Sequence, residues 1–197
     1  LDWLAPEPFV LVGHSLGGLT AAAAAHDLLP RLQGLVLVDI SPGVRPHTDA
    51  GAISEFITGQ RDFESPDEMV DRAIAFGIGS DRAALTRGVA LNARQRADGR
   101  WEWTHHFAHL ETPPVERSSD QAPFEPLWQP LEALHEAGVP VSLILGDQGM
   151  IDSSLLAQWQ KRLPASATTT IAGPHNLHEA SPVALAEALR ALLGHAR

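Results

Sequence analysis

The chain has 197 residues, of which 44% are hydrophobic and 19% charged, a length and composition that suit one well-cored globular domain. Its formal net charge of −10 at pH 7 argues against nucleic acid as a partner, because phosphate binding requires a basic surface. It contains no cysteine, which excludes disulfides, thiolate metal sites and a cysteine nucleophile, and no run of residues is apolar over the length of a membrane span.

The first elements predict a βαβ unit. Residues 8–12 form a short apolar run that is typical of a buried parallel strand, and the alanine-rich residues 19–29 predict a helix. Residues 34–39 predict a second buried strand. Strand, turn, helix and strand in this order indicate a right-handed parallel crossover.

The middle of the chain, residues 45–126, predicts a helical insertion. It contains no strand as apolar as the two before it. Ser65 and Ser80 have the position of helix N-caps. The predicted segments are helices at 51–59, 66–76 and 81–96, a short extended piece at 99–104, and a proline-rich loop at 111–126.

After the insertion, strands and helices alternate again. The predicted segments are a helix at 127–137, a strand at 139–145, a turn at 146–149, a helix at 153–163, a strand at 167–172 and a last helix at 181–193. Four buried strands alternating with helices predict an α/β fold, a mostly parallel, doubly wound sheet. We assign residues 1–44 and 127–197 to this core and residues 45–126 to a cap.

The strongest chemical signal is Gly13-x-Ser15-x-Gly17, between a predicted strand and a predicted helix. A serine at such a strained turn requires neighbours two residues away that have almost no side chain, and Gly18 adds room for close helix packing. The turn lifts the Ser15 hydroxyl above the sheet at a helix N-terminus, so the backbone N–H of Leu16 is a candidate oxyanion donor. A phosphate loop is disfavoured, because neither Gly-x-Gly-x-x-Gly nor a Walker lysine is present.

Three segments in chain order make the sequence resemble the α/β-hydrolase family. They are residues 9–19 (FVLVGHSLGGL), which resemble its nucleophile elbow, 34–43 (GLVLVDISPG), which resemble the next strand and turn, and 173–182 (GPHNLHEASP), which resemble its histidine loop. The resemblance implies a helical cap, and further strands before the elbow whose loop supplies a second oxyanion donor. We therefore expect the sequence to lack its N-terminal strands. Serine as nucleophile separates it from the epoxide hydrolases and haloalkane dehalogenases of the family, which carry a carboxylate there.

The family order of serine, acid and histidine places the general base late in the chain. His175 follows the small-residue turn after the last predicted strand, and Pro182 lies seven residues further on, as the family pattern implies. His178 is the alternative, on the outer part of the same loop.

Three aspartates are candidates for the acid that pairs with the histidine. Its usual position in the family, after the strand at 139–145, holds Gly149, which carries no carboxylate. Part of the family places the acid after the strand that follows the elbow strand, where Asp39 stands, and parallel strands bring their carboxyl ends to one crevice. Asp39 is therefore the first candidate, followed by Asp152 and Asp147, although an aspartate before Ile-Ser-Pro also suits a turn cap.

These residues predict a serine hydrolase of small carboxylic esters, with Ser15, His175 and Asp39 acting through an acyl-enzyme. A carbon–carbon bond hydrolase or acyltransferase on the same triad is one alternative, and a hydrolase-fold ligand receptor with little turnover is another.

The expected partner is a small-molecule ester, with no nucleic acid and no membrane, and a homo-oligomer is compatible with the sequence. No cofactor is implied. His105, His106 and His109 lack the carboxylates that would complete a tetrahedral metal site, so we expect them to pack within the cap and predict no metal. No signal peptide is visible, which favours a cytoplasmic location.

Overall fold

The computed structural model describes residues 7–45, 55–56, 59–104 and 123–194. The chain forms two compact units, one of Leu1–Arg45 with Gln121–Arg197 and one of Pro46–Asp120. The described elements are, in chain order, β1 (Phe9–His14), α1 (Leu16–Leu28), β2 (Leu32–Val38), α2 (Pro66–Ala75), α3 (Arg82–Asn92), β3 (Ala93–Gln95), β4 (Trp101–Trp103), α4 (Trp128–Glu136), β5 (Val141–Gln148), α5 (Ser153–Arg162), β6 (Ala167–Pro174), α6 (Leu177–Ala180) and α7 (Pro182–Gly194).

The first unit contains a parallel sheet with the strand order β1-β2-β5-β6. Its two central strands are apolar and buried because both of their faces are covered. One face carries Val36, Val38 and Ile144, which pack with Leu185 and other residues of α7. The alternate residues point to the opposite face, and the fully buried ones are Leu35, Leu37 and Leu143. The predicted fold class is confirmed.

The outer strands of this sheet are less buried than the sequence predicts. In β1 only Gly13 is buried, and Val12 is 43% exposed. In β6 only Ile171 is buried. Each of these strands has a single neighbour within the described sheet, so the prediction that both are buried strands is wrong for this part of the chain.

The strands that carry the site extend further than predicted. The strand predicted at 139–145 begins at Val141 and continues to Gln148, through the residues expected to form a turn. It does so because β6 runs alongside as far as the pair Gln148 and Pro174, with an irregularity after Gly146. The short helix α6, which is separated from β6 by His175 and Asn176, was not predicted.

The second unit contains α2 and α3, which pack around a small apolar core, and the antiparallel strands β3 and β4. The helix predicted at 81–96 ends at Asn92, because the next residues pair with β4 instead. Ser65 caps α2 as predicted, but Ser80 does not cap α3, whose first N–H groups are bound by the Asp81 carboxylate.

Two predicted segments lie largely outside the described residues. Of the helix at 51–59 only residues 55, 56 and 59 are described, and of the loop at 111–126 only the end, where Glu125–Leu127 forms a 3-10 turn. The role of residues 45–126 as a cap stays a prediction. No helix in the described ranges has the length and apolar character needed to cross a membrane.

Candidate active site

Ser15 is the single residue between the end of β1 and the start of α1. Its backbone conformation is strained, with φ +52° and ψ −129°. Two glycines of this turn, Gly13 and Gly18, lie so close to neighbouring backbone that a side chain would not fit at either position. A Cβ on Gly13 would lie 2.5 Å from the carbonyl oxygen of Gly17, and a Cβ on Gly18 would lie 2.9 Å from that of Gly13. For Gly17 the prediction is wrong, since a Cβ there would meet no described atom within 4 Å.

His175 follows β6 directly, and its side chain reaches Ser15. Its Nε2 lies 2.9 Å from Ser15 Oγ. Its side chain is only 15% exposed, so the imidazole is held largely away from water. A histidine nitrogen at this distance from a serine hydroxyl has the geometry of a general base.

Asp39 follows β2 directly and orients the imidazole from the other side. Its Oδ2 lies 2.7 Å from His175 Nδ1, and the residue is fully buried. The peptide N–H groups of Gly146 and Met150 also donate to this carboxylate, at 3.0 and 2.7 Å. A buried carboxylate is tolerated only when such donors replace water, and for Asp39 they come from the end of β5 and from the loop that follows it.

Gly149, in the loop after β5, has no room for a side chain because Asp39 occupies the space beside it. A Cβ on Gly149 would fall far inside the van der Waals contact distance of both Asp39 carboxylate oxygens. The space next to Gly149, where the family usually places the acid, is therefore filled by the Asp39 side chain. A side chain at position 149 and the Asp39 carboxylate exclude one another.

These contacts assign the protons of His175. Because a carboxylate only accepts, Nδ1 carries the proton shared with Asp39, and Nε2 then presents its lone pair to the Ser15 hydroxyl. The arrangement can accept a proton from Ser15 and stabilise the resulting imidazolium.

The other candidate acids have structural contacts elsewhere. Asp152 is the N-cap of α5 and accepts the N–H of Leu155 at 2.8 Å. Asp147 accepts the N–H of Gly173 at 2.8 Å. Neither is placed against His175 in the way that Asp39 is.

His178, the alternative base, lies on α6 with 53% of its side chain exposed. Its ring lies 5.1 Å from that of His14. Leu16 is the first residue of α1, where a helix leaves its N–H groups without intrahelical acceptors, so its amide is available to a ligand at this end of the helix.

Sequence reasoning missed His14, the residue before Ser15. Its Nε2 lies 2.9 Å from the carbonyl oxygen of His175, and the two rings lie 4.6 Å apart. Burial lowers the pKa of His14 below its ordinary value of 6.5, an effect that the bond to the His175 carbonyl opposes. Its position beside the serine was the signal that could have drawn attention to it.

Sequence reasoning also missed the two amides that bind Asp39, since backbone donors leave no mark in the residue pattern. In the described part of the chain, no group of three or more His, Cys, Asp or Glu residues could hold a metal ion. The histidines at 105, 106 and 109 lie outside that part.

Known hydrolases are similar to this chain in sequence and in fold. The model of a family described as "Alpha/beta hydrolase family" matches residues 1–188. The chain is 31% identical over 201 residues to esterase Rv0045c of Mycobacterium tuberculosis, covering 96% of this chain and 62% of the relative. A solved structure of that esterase matches with a TM-score of 0.76 at 28% identity, covering 98% of this chain and 65% of that one.

A mouse relative, sn-1-specific diacylglycerol lipase ABHD11 of Mus musculus, is 30% identical over 139 residues, which cover 62% of this chain and 43% of the lipase. The structure of E-2-(acetamidomethylene)succinate hydrolase matches with a TM-score of 0.75 at 18% identity, over 98% of this chain and 69% of that one, a likeness of fold alone. The chain thus spans less than two thirds of the length of its curated relatives. The match of the family model over residues 1–188 shows that the chain belongs to the α/β-hydrolase family.

Proposed function

We propose that the chain is a serine hydrolase of small carboxylic esters in which Ser15, His175 and Asp39 form the catalytic triad. The main support is the continuous line of contacts from Ser15 Oγ through His175 to Asp39, at 2.9 and 2.7 Å. Serine hydrolases of unrelated folds share this order of alcohol, imidazole and carboxylate. Similarity to a protein named as an esterase supports the substrate class.

In the first half of the proposed reaction, Ser15 Oγ forms a bond to the ester carbonyl carbon as its proton moves to His175 Nε2. The carbonyl electron pair moves onto oxygen, and Asp39 stabilises the imidazolium. When the tetrahedral intermediate collapses, the ester C–O bond breaks and the leaving alkoxide takes the proton from Nε2. An acyl-serine remains.

In the second half, water gives a proton to His175 Nε2 and its oxygen attacks the acyl carbon. The bond to Ser15 then breaks, Oγ regains the proton and the carboxylic acid leaves. The N–H of Leu16, at the N-terminus of α1, is the proposed donor to the oxyanion in both halves, because preorganised amides stabilise charge that develops only in the transition state.

A panel of p-nitrophenyl esters of increasing chain length tests this function on the protein and on Ser15→Ala. We expect the protein to hydrolyse short esters and the variant to lose roughly a thousandfold or more in kcat. Cleavage of a vinylogous 1,5-diketone without ester cleavage would favour the carbon–carbon hydrolase instead. Tight retention of a ligand with no turnover would favour the receptor, and either result contradicts the proposal.

A further inference from the structure

His14 is the third imidazole of the site, and its contacts define its protonation. Its Nε2 lies 2.9 Å from the main-chain carbonyl oxygen of His175. Since a carbonyl oxygen only accepts, the proton is on His14 Nε2. Because this nitrogen carries a proton and donates it to the main chain, it cannot accept the proton of Ser15.

The carbonyl group of His175 is held from two sides. Besides His14, the N–H of Leu177 donates to the same oxygen at 3.0 Å. The ring of His14 also packs against the ring of His175, with centroids 4.6 Å apart. Both the backbone and the side chain of His175 are therefore in contact with the residue that precedes the nucleophile.

Sheet topology explains why such a link matters. Ser15 follows β1 and His175 follows β6, and the strands β2 and β5 lie between them. Three strand spacings separate β1 from β6 by roughly 14 Å, so these two strands do not pair with each other directly. The contact of His14 with the His175 carbonyl is a direct link between the segments that follow them.

The hydrogen bond between Ser15 Oγ and His175 Nε2 cannot keep the two segments aligned throughout turnover. Ser15 Oγ loses its hydrogen bond to His175 when it is acylated, because the oxygen then carries no proton. The bond from His14 to the His175 carbonyl involves none of the reacting atoms, so acylation of Ser15 does not remove its donor or its acceptor.

We propose that His14 is a positioning residue, whose Nε2–H bond to the His175 carbonyl keeps the general base aligned with Ser15 before and after acylation. This inference rests on the proposed function. Burial, which lowers the pKa of His14, supports it by keeping that ring neutral beside the imidazolium that forms on His175.

Two substitutions separate the hydrogen bond from ring packing. His14→Phe keeps a ring but has no donor, whereas His14→Gln keeps an N–H at a similar distance from the main chain. We expect His14→Phe to lower kcat for a short p-nitrophenyl ester by about 10- to 100-fold with KM nearly unchanged, since small misplacements of a base have effects of this size. We expect His14→Gln to stay within about threefold of the parent, a rescue that loss of packing would not show.

His26→Gln, an exposed substitution on α1, is the matched control and should leave kcat unchanged. A second measurement uses only the unsubstituted protein, so its result does not depend on whether a variant folds. Imidazole ¹⁵N–¹H spectra of histidine-labelled protein should show His14 as the Nε2–H tautomer, and the Nδ1–H tautomer would overturn the inference.

The outcomes distinguish the two proposals. An active parent whose Phe and Gln variants have equal kcat values overturns the positioning role and leaves the proposed function standing. A parent that shows the expected tautomer but hydrolyses no ester contradicts the proposed function, and the positioning role with it.

Discussion

Ser15 and Asp39 both have a backbone conformation that residues other than glycine adopt uncommonly, with φ values of +52° and +50°. Each such residue costs on the order of 1–3 kcal/mol, and strain of this kind concentrates at functional sites. Here these backbone conformations place the Ser15 hydroxyl and the buried Asp39 carboxylate on opposite sides of the His175 ring. The strain is thus located at two of the three proposed triad residues.

Replacing Asp39 by Asn should abolish most of the activity while leaving substrate binding intact. All three groups around the carboxylate are donors, namely Gly146 N–H, Met150 N–H and His175 Nδ1–H, so an amide NH₂ would oppose at least one of them. We expect kcat for a p-nitrophenyl ester to fall by roughly a thousand- to ten-thousandfold, with little change in KM.

The matched control is Asp152→Asn, which keeps the cap of α5 because asparagine caps a helix as well as aspartate does. We expect this variant to retain parental kcat. An active Asp39→Asn together with an inactive Asp152→Asn would assign the acid to the other residue.

Gly149→Ala should disturb the same carboxylate without removing it. The added methyl group would overlap both Asp39 oxygens, so the acid must shift away from His175. We expect kcat to fall by about 10- to 100-fold. Gly88→Ala, in α3, meets no described atom within 4 Å and serves as the control; full activity in Gly149→Ala would contradict the observed packing.

The lowered pKa of His14 makes stability depend on pH in a defined direction. His175, His178 and Asp39 face this ring; the two histidines lower its pKa and Asp39 raises it, but burial dominates. Below pH 6.5 the unfolded chain therefore binds a proton at residue 14 more readily than the folded chain. The contribution of His14 to the free energy of unfolding is therefore fully present above pH 6.5. It is lost as the pH falls towards the lowered pKa of the folded protein.

Urea unfolding at about pH 7.5 and about pH 5 measures this effect. The parent should lose more free energy of unfolding between the two conditions than His14→Gln, which has no titrating group at that position. Identical losses in the two proteins would show that His14 titrates alike in the folded and unfolded chains.

At the scale of elements, helix caps show the limit of reading single residues. Ser65 and Ser80 look alike in sequence, yet only Ser65 Oγ accepts a helix N–H, that of Glu68 at 3.2 Å. Before α3 the Asp81 carboxylate takes this role, accepting from Ala83 and Ala84 at 2.9 and 3.2 Å. When two neighbouring residues are both good caps, the backbone turn decides between them.

Asp81→Ala and Ser80→Ala form a pair that tests this assignment. Loss of the cap should reduce the free energy of unfolding by about 1 kcal/mol in Asp81→Ala. Ser80 is exposed, so Ser80→Ala should stay within about 0.5 kcal/mol of the parent. Urea denaturation of both variants gives the comparison, and the reverse order would mean that Ser80 is the cap after all.

At the scale of the whole molecule, the parallel sheet was predictable because apolar runs and glycine turns are local patterns. The bounds of β5 and β6 were not, since pairing between these strands extends both of them beyond their apolar residues. The structure also brings Ser15, His175 and Asp39 together, as chain order and the resemblance implied. Their catalytic roles stay predictions.

What escaped prediction at the site shares one property. The amides that bind Asp39, the contact at Gly149 and the bond from His14 all involve backbone or empty space contributed by a segment far away in the chain. Residue patterns report side chains along one segment, so such contacts appear only once the strands are placed side by side.

Labelling with a fluorophosphonate, read by intact mass, tests the central claim most directly, because an activated serine displaces fluoride from the reagent and becomes phosphonylated. The account predicts a single adduct on the protein, none on Ser15→Ala, and much slower labelling of His175→Ala. An unlabelled protein, or an adduct that persists on Ser15→Ala, would contradict the assignment of Ser15 as a nucleophile activated by His175.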